Sequence, residues 1–191
     1  MRRRHTIVDY VQSYGEYNFW RQSPTIVDGL VLATICYADL EVTPFGKINN
    51  FNCTISELGQ LVNVGDISRL MWNRVRGERL LSLAANSKRF GDALIHDYRH
   101  DINADVQKQF TAVTFSLNTD VGYIDVIAFQ GTDDTLTGWK EDLNMSFTRH
   151  VPAQLAAVDY VERVANLSNN KLVLVGHSKG GNLAVYAAMK C

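Results

Sequence analysis

The stretch Lys171–Cys191 constrains the fold of this 191-residue chain most strongly. An apolar run, Leu172–Val175, is short enough to be a buried β-strand, and it enters the glycine-rich turn Gly176–Gly181. The run that follows, Asn182–Met189, is rich in alanine and is typical of a helix. The sequence therefore predicts a strand that turns directly into a helix.

The turn carries the pattern Gly-x-Ser-x-Gly, in which Ser178 stands between Gly176 and Gly180. In a sharp strand-to-helix turn the middle residue has a strained backbone, and its side chain stands clear of the sheet. A Cβ atom at either flanking position would collide with neighbouring backbone, so both positions favour glycine. The helix that follows offers N–H groups and a partial positive charge to a developing oxyanion, and the N–H of Lys179 is the first such donor. The pattern predicts a nucleophilic serine.

The alternative interpretation is a glycine-rich turn in which the serine is incidental. The bare pattern is expected by chance in roughly one chain in twenty of this length, at the usual frequencies of glycine and serine. The strand before it and the helix after it make the pattern more specific, because a nucleophile elbow requires both.

Composition argues against several classes of partner. The formal net charge is -1 and 46% of the residues are apolar, which is ordinary for a globular protein. Basic residues are scattered, so no nucleic-acid partner is predicted, and no apolar run approaches the roughly 18 residues of a membrane helix. The cluster Arg2–Arg4 is followed by an apolar segment that polar residues interrupt, unlike a signal peptide. Nothing in the sequence predicts a cofactor or a bound metal.

The cysteines indicate a compartment. They form an odd set without a spacing pattern, namely Cys36, Cys53 and Cys191. Such a set is typical of free thiols in a reducing compartment, so we expect a cytoplasmic protein.

Residues 1–90 are predicted to form a helical N-terminal region. Residues 6–14 carry apolar side chains on one helical face, and Ser23 and Pro24 are suited to the N-cap and first turn of a second helix. That second helix is apolar nearly all round, which predicts that it is buried. Three further helices are predicted, starting at the capping box Thr54–Glu57, at Gly65–Asp66 and at Glu78.

Residues 91–191 change to the periodicity of an α/β domain. Three strands are predicted, at 94–102, 110–117 and 123–129. The last two are joined by a moderately long hairpin loop, and a helix over 152–167 precedes the strand that leads to Ser178. An antiparallel start followed by strand, helix, strand and helix predicts a mostly parallel sheet covered by helices.

The strand that leads to Ser178 should lie parallel to the strand that ends at Phe129, through a right-handed crossover. The carboxyl ends of parallel neighbours meet at one edge of the sheet, where ligands bind, so Gly131–Thr132 should sit beside Ser178. A second oxyanion donor from such a loop is what acyl transfer needs. The alternative is a plain turn, since Gly-Thr-Asp-Asp is favourable turn chemistry.

The run Ile127–Thr132, with Trp139 and Asp142 downstream and Gly176–Gly181 beyond, resembles the class 3 lipases of the α/β-hydrolase superfamily. The longer run Gly131–Asp142 resembles more closely a bacterial lipase-like family of unknown function, which the helical N-terminal region also fits.

The resemblance implies a partial α/β-hydrolase sheet and hydrolysis of an acyl ester or lipid. It also implies that Ser178 is the nucleophile and that Thr132 helps to form the oxyanion hole. The class 3 motif usually has arginine where this chain has Gln130, but this difference leaves the oxyanion-hole residue Thr132 in place. We interpret Trp139 and Asp142 as structural, the first as core and the second as a local hydrogen-bond acceptor.

An activated serine needs a histidine base that is oriented by an acid, and α/β-hydrolases carry them in the order Ser, Asp or Glu, His. The sequence ends 13 residues after Ser178, so neither partner follows it here. His177 adjoins the serine, but neighbouring side chains on an elbow diverge. Four other histidines lie upstream, in the wrong order, namely His5, His96, His100 and His150. We therefore expect the N-terminal part of a longer hydrolase, with C-terminal strands missing and little activity of its own.

Two further expectations follow from missing strands. The strand that leads to Ser178 would be left as an apolar sheet edge, which predicts self-association. The alternative to an enzyme is a non-catalytic module that keeps the elbow as architecture and uses the helical N-terminal region to contact a partner.

Overall fold

A computed structural model describes residues 5–45, 52–61, 67–68, 71, 73–103, 105, 108–132 and 151–191. The helices of these ranges are α1 Ile7–Tyr14, α2 Ile26–Ile35, α3 Ile55–Gln60, α4 Arg74–Ala85, α5 Pro152–Leu167 and α6 Lys179–Lys190. The strands are β1 Cys53–Thr54, β2 Leu94–Asn103, β3 Lys108–Thr119, β4 Gly122–Phe129 and β5 Lys171–Gly176. A short 3-10 helix spans Leu40–Val42.

Each of the first three helices begins at a threonine. Thr6, Thr25 and Thr54 accept a hydrogen bond from the N–H three residues on, and the acidic side chain there accepts from the threonine N–H. These capping boxes give hydrogen-bond acceptors to N–H groups that have no partner within the first turn of a helix. The box at Thr54 confirms the prediction.

The prediction that Ser23 caps α2 is wrong, because Thr25 has Asp28 at the right spacing to complete a capping box and Ser23 does not. The predicted burial of α2 on all sides is also wrong. Its inner face is buried, but Ile26 is 91% exposed and Leu30 is 41% exposed.

The strands form one sheet in the order β1-β2-β3-β4-β5. The pairs β1–β2, β2–β3 and β3–β4 are antiparallel, and only β4–β5 is parallel. The expectation of a mostly parallel sheet is therefore wrong for the described part of the chain. The strands β2, β3 and β4 follow one another through short connections, which favour antiparallel pairing, whereas the parallel pair β4–β5 has the crossover helix α5 between its strands. The pair β1–β2 is antiparallel although α3 and α4 lie between its strands.

The β3–β4 hairpin is tighter than predicted. Thr119 pairs with Gly122, so only Asp120 and Val121 form the turn. The predicted parallel pairing of β5 with β4 is confirmed, with Ile124 opposite Lys171 and Phe129 opposite Gly176.

Helices cover both faces of the sheet. Helices α1 to α4 contribute to one core cluster, which includes Val173 and Val175 of β5. Helices α5 and α6 contribute to a second core cluster, against which Leu172 and Leu174 of β5 pack. Alternate residues of β5 thus face opposite layers, as the pleat of a strand requires. The described part is an α/β structure with three layers, and β5 lies at one edge of its sheet.

A buried ion pair fixes α2 against the rest of the N-terminal layer. The Arg89 guanidinium donates from Nη2 to Oδ2 of Asp28 at 2.6 Å and from Nε to Oδ1 at 2.7 Å, and both side chains are almost fully buried. Arg89 Nη1 also donates to the carbonyl of Tyr17 at 2.8 Å. A bidentate pair of this kind holds its partners in one geometry. Among the described helices, none is long and apolar enough to cross a membrane.

Candidate functional site

Ser178 lies between the last residue of β5 and the first residue of α6. Its backbone has φ 57° and ψ −124°, a conformation that residues with a side chain rarely adopt. The residue is exposed, so its hydroxyl is accessible from solvent. A strained residue held at a strand-to-helix junction is the geometry that the sequence predicts for this serine.

Close backbone packing explains the two glycines of the pattern. A Cβ atom at Gly176 would overlap the Gly180 carbonyl and would lie 2.7 Å from the N atom of Gly181. A Cβ atom at Gly180 would overlap the Phe129 carbonyl oxygen and lie 2.9 Å from its carbon. The predicted collision with backbone is therefore confirmed at both positions. The second contact also shows that the start of α6 packs directly on the end of β4.

The loop after β4 reaches Ser178. A Cβ atom placed on Gly131 would lie 2.7 Å from the carbonyl oxygen of His177 and 3.5 Å from Cβ of Ser178. Thr132, the next residue, is partly buried. The parallel register of β4 and β5 thus brings Thr132, Ser178 and the first residue of α6, Lys179, to one edge of the sheet.

Lys179 contributes its backbone to this edge but not its side chain. The side chain is buried, and its Nζ donates to the carbonyl of Gln109 on β3 at 3.0 Å. The ammonium group is therefore anchored below the sheet edge, while the backbone N–H belongs to the first turn of α6, where helix amides point toward a bound anion.

Tyr37 is a residue of this site that sequence reasoning missed. It follows α2, and its hydroxyl oxygen accepts a hydrogen bond from the Gly131 N–H at 2.8 Å. The apolar pattern of α2 placed Tyr37 among core residues, and that pattern says nothing about a phenol oxygen. The only signal in the sequence is that a buried tyrosine hydroxyl usually has a polar partner.

The described histidines beyond the elbow are held away from Ser178. The His96 ring contacts Ser116 Oγ at 2.9 Å, and Ser116 Oγ donates to Asp125 at 2.6 Å. Asp125 lies four residues before the carboxyl end of β4, roughly 13 Å along the strand from the Ser178 edge. His100 lies on β2, three positions from β5 in the sheet order, and its ring contacts Thr111 Oγ1 of β3 at 2.9 Å. His5 is exposed ahead of α1, and His177 is exposed on the elbow.

The contacts of His96 form a Ser-His-Asp string away from Ser178, namely Ser116–His96–Asp97. Nδ1 of His96 lies 2.7 Å from Oδ2 of Asp97. Ser116 Oγ also donates to Asp125 at 2.6 Å, so the string continues onto β4. These side-chain contacts link β2, β3 and β4 at the end of the sheet away from Ser178.

Asp97 is the strained member of that network. It has φ 54° and interrupts the β2–β3 register between His96 and Arg99. The hydrogen bond from His96, together with the Arg163 guanidinium 2.6 Å from Oδ1, holds the pKa of Asp97 below its usual value. Tyr160 donates to the Asp97 carbonyl at 2.6 Å.

Three positions named from the sequence lie outside the residues that the structure describes, namely Trp139, Asp142 and His150. Within the described ranges, no group of histidine, cysteine, aspartate and glutamate side chains is arranged to hold a metal ion.

Comparison with known proteins gives one match. Residues 84–191, more than half of the chain, match the family model described as Mbeg1-like. No curated protein and no solved structure matches the sequence or the fold. The matched region runs from the end of α4 to the end of α6 and includes both loops that meet at Ser178. The chain therefore belongs to the Mbeg1-like family.

Proposed function

We propose that Ser178 is the nucleophile of a serine hydrolase that cleaves an acyl ester, such as a lipid. The observation that carries this proposal is the strained backbone of Ser178, with φ 57°, at a strand-to-helix junction that the Gly131 loop abuts. Strain of this kind costs of order 1–3 kcal/mol and persists where the surrounding structure enforces it, most often at functional sites.

The proposed reaction begins with attack of Ser178 Oγ on the ester carbonyl. The hydroxyl proton passes to a base, the Oγ–carbon bond forms, and the carbonyl oxygen becomes an oxyanion that accepts from the N–H groups of Lys179 and Thr132. Collapse of this intermediate breaks the bond between the acyl carbon and the alcohol oxygen, and the base gives its proton to the departing alcohol. Water, deprotonated by the same base, then attacks the acyl carbon and displaces Ser178 Oγ, which recovers its proton as the acid is released. One donor in an oxyanion hole is worth roughly 3 kcal/mol of barrier.

The fold supports this proposal in part. The parallel pair β4–β5, joined through α5 and continued into α6, is the strand–helix–strand–helix unit on which a nucleophile elbow stands. We propose that it corresponds to the centre of an α/β-hydrolase sheet, and that the class 3 lipase resemblance holds in this region.

We propose that neither His96 nor His100 is the base for Ser178. Both histidines are held elsewhere, as described above. We therefore expect residues 1–191 alone to keep only the acceleration that an oxyanion hole and binding give, about 10³–10⁴-fold over water.

The test is covalent labelling with a fluorophosphonate, in which the serine oxygen displaces fluoride from phosphorus. We expect slow labelling that added imidazole accelerates, because imidazole supplies a base. Ser178→Ala should abolish it, and Ser116→Ala, which removes the serine that His96 contacts, should leave it unchanged. Circular dichroism checks the folding of each variant.

Two outcomes would change the proposal. Labelling that persists in Ser178→Ala would refute the assigned nucleophile. Rapid labelling without imidazole would refute the expected lack of a base, and His150→Ala would then test the histidine that lies outside the described residues.

A second candidate is a non-catalytic module, and the placement of His96 and His100 away from Ser178 favours it. This candidate predicts no labelling of Ser178, with or without imidazole, in a folded protein. The same experiment therefore distinguishes the two functions.

We also propose self-association and a cytoplasmic location. The outer side of β5 is a sheet edge in the described part of the chain, beside an open apolar groove of about 1000 Å³. We call it the β5 groove; its lining includes Ile26, Leu30, Val121, Val173 and Val185. Unpaired edges of this kind pair readily with a second copy. The three cysteines are free thiols, which fits a reducing compartment.

A further inference from the structure

The residues that follow α2 dock onto the carboxyl end of β4. The thiol of Cys36 donates to the carbonyl of Ala128 at 3.3 Å, and the next residue, Tyr37, accepts from the Gly131 N–H at 2.8 Å. These are contacts between residues more than ninety positions apart in the chain. The end of α2 is thus fixed over the loop that approaches Ser178.

The Tyr37 hydroxyl and Ser178 face the same small volume. A Cβ atom on Gly131 would overlap the hydroxyl oxygen of Tyr37, and the same atom would lie 3.5 Å from Ser178 Cβ. Gly131 therefore separates the phenol from the serine, and only a residue without a side chain fits between them. Its N–H is directed at Tyr37 and not at the position of a substrate oxygen.

An oxyanion hole depends on N–H groups whose direction is fixed before the substrate arrives. Gly131 lacks a side chain that would restrict its backbone, so the peptide between Gly131 and Thr132 needs an external restraint. The hydrogen bond to Tyr37 anchors the peptide between Gln130 and Gly131. The His177 carbonyl, 2.7 Å from the position of a Gly131 Cβ, encloses the glycine on another side, and the two contacts together limit the rotation that sets the direction of the Thr132 N–H.

We propose that Tyr37 is a positioning residue of the Ser178 site, whose hydroxyl holds the Gly131 N–H so that the Thr132 N–H is presented to the oxyanion. This inference rests on the proposed function. It assigns a part of the site to the N-terminal layer, outside residues 84–191 that match the family model. The buried ion pair of Asp28 and Arg89 holds α2 in place, and Tyr37 follows the end of that helix.

The test compares Tyr37→Phe with Tyr123→Phe in the whole chain. Both variants lose one phenol oxygen, but Tyr123 is 56% exposed at the opposite end of β4. Fluorophosphonate labelling of Ser178 is followed with imidazole at fixed concentration, and the probe concentration is varied to separate the maximal rate from the half-saturating concentration. Amide hydrogen exchange of Gly131 is measured in the same proteins.

We expect Tyr37→Phe to lower the maximal labelling rate by about tenfold, which is about 1.4 kcal/mol of barrier and within the range of one hydrogen bond. The half-saturating probe concentration should stay unchanged, because the phenol is proposed to act only through the transition-state donor. Exchange at Gly131 should become faster in this variant, and Tyr123→Phe should match the unsubstituted protein in each measurement.

Two results would overturn the inference in distinguishable ways. If Ser178 is labelled normally in Tyr37→Phe although exchange at Gly131 has become faster, Tyr37 only stabilises the loop and the proposed function stands. If no protein shows labelling that depends on Ser178, the proposed function fails and the role of Tyr37 fails with it.

Discussion

Ser178 and Asp97 are the non-glycine residues with positive φ in the described part of the chain. Their surroundings differ in kind. Ser178 is exposed at the junction of β5 and α6, with a second loop beside it. Asp97 lies in a register shift of β2, where His96, Tyr160 and Arg163 all bind it. A strained backbone thus marks a proposed reaction site in one case and a structural network in the other, and only the neighbours distinguish them.

We predict that Asp97→Asn destabilises the protein by about 1–2 kcal/mol at pH 7, because it removes charge-assisted hydrogen bonds with His96 and Arg163. Asparagine also tolerates positive φ, so the change tests the charge and not the backbone. The folded-state pKa of Asp97 is lowered, so its stabilisation is present above the unfolded value of about 4 and is lost as the pH falls through the folded-state pKa.

Urea denaturation from pH 7 down to pH 3 measures this effect. The difference between the unsubstituted protein and Asp97→Asn should shrink below about pH 4. Asp120→Asn, in the exposed hairpin turn, is the matched control and should stay within about 0.5 kcal/mol of the unsubstituted protein. A difference that is constant over the whole pH range would contradict the electrostatic explanation.

At the scale of elements, the unit β5–turn–α6 is defined almost entirely by local sequence. The apolar run, the two glycines and the alanine-rich helix predicted its bounds closely, because strand, turn and helix preferences agree there. The bounds of α5 were predicted equally well, since Pro152 sets the first turn and apolar spacing continues to Leu167. What sequence did not specify is the surface against which the turn packs, namely the end of β4.

We predict that Gly180→Ala lowers the free energy of unfolding by about 2–4 kcal/mol, because the added methyl group would overlap the Phe129 carbonyl. Gly181→Ala is the matched control in the same turn of α6. Its methyl group would lie 3.3 Å from the Gly176 carbonyl oxygen, and alanine favours a helix by about 1 kcal/mol, so the net change should be small. Urea denaturation of both variants tests the prediction, and equal stabilities would show that β4 and α6 are less closely packed than described.

At the scale of the whole molecule, the edge position of β5 is the main consequence of the sheet order. Both layers of helices converge on this strand, but in the described ranges its outer edge has no neighbouring strand. The β5 groove beside it is apolar, and Ile26 at its rim is 91% exposed. Apolar surface of this extent beside an open edge favours association.

We predict that the chain self-associates at micromolar concentration and that Ile26→Lys weakens the association. Val75→Lys is the matched control, because Val75 is also an exposed residue in the first turn of a helix and lies outside the β5 groove. Size exclusion with multi-angle light scattering gives the molar mass of each protein. A sharp monomer peak for the unsubstituted chain, or equal effects of the two substitutions, would contradict self-association through the edge of β5.

Local sequence predicted most of the helices and strands, the elbow at Ser178 and its glycines, because capping, periodicity and turn chemistry act over a few residues. The exceptions include α4, which begins at Arg74 and not at the predicted Glu78, and the short strand β1, which was not predicted. Tertiary structure decided that most strand pairs are antiparallel and that Tyr37 joins Gly131 at the site. Strand pairing and the contact of Tyr37 depend on residues distant in the chain, whose meeting is set by how the layers pack and not by any local preference. The cap of α2 is a local feature, because the spacing of Thr25 and Asp28 already indicates a capping box. Ser23 was predicted instead because the adjacent proline favours the first turn of a helix.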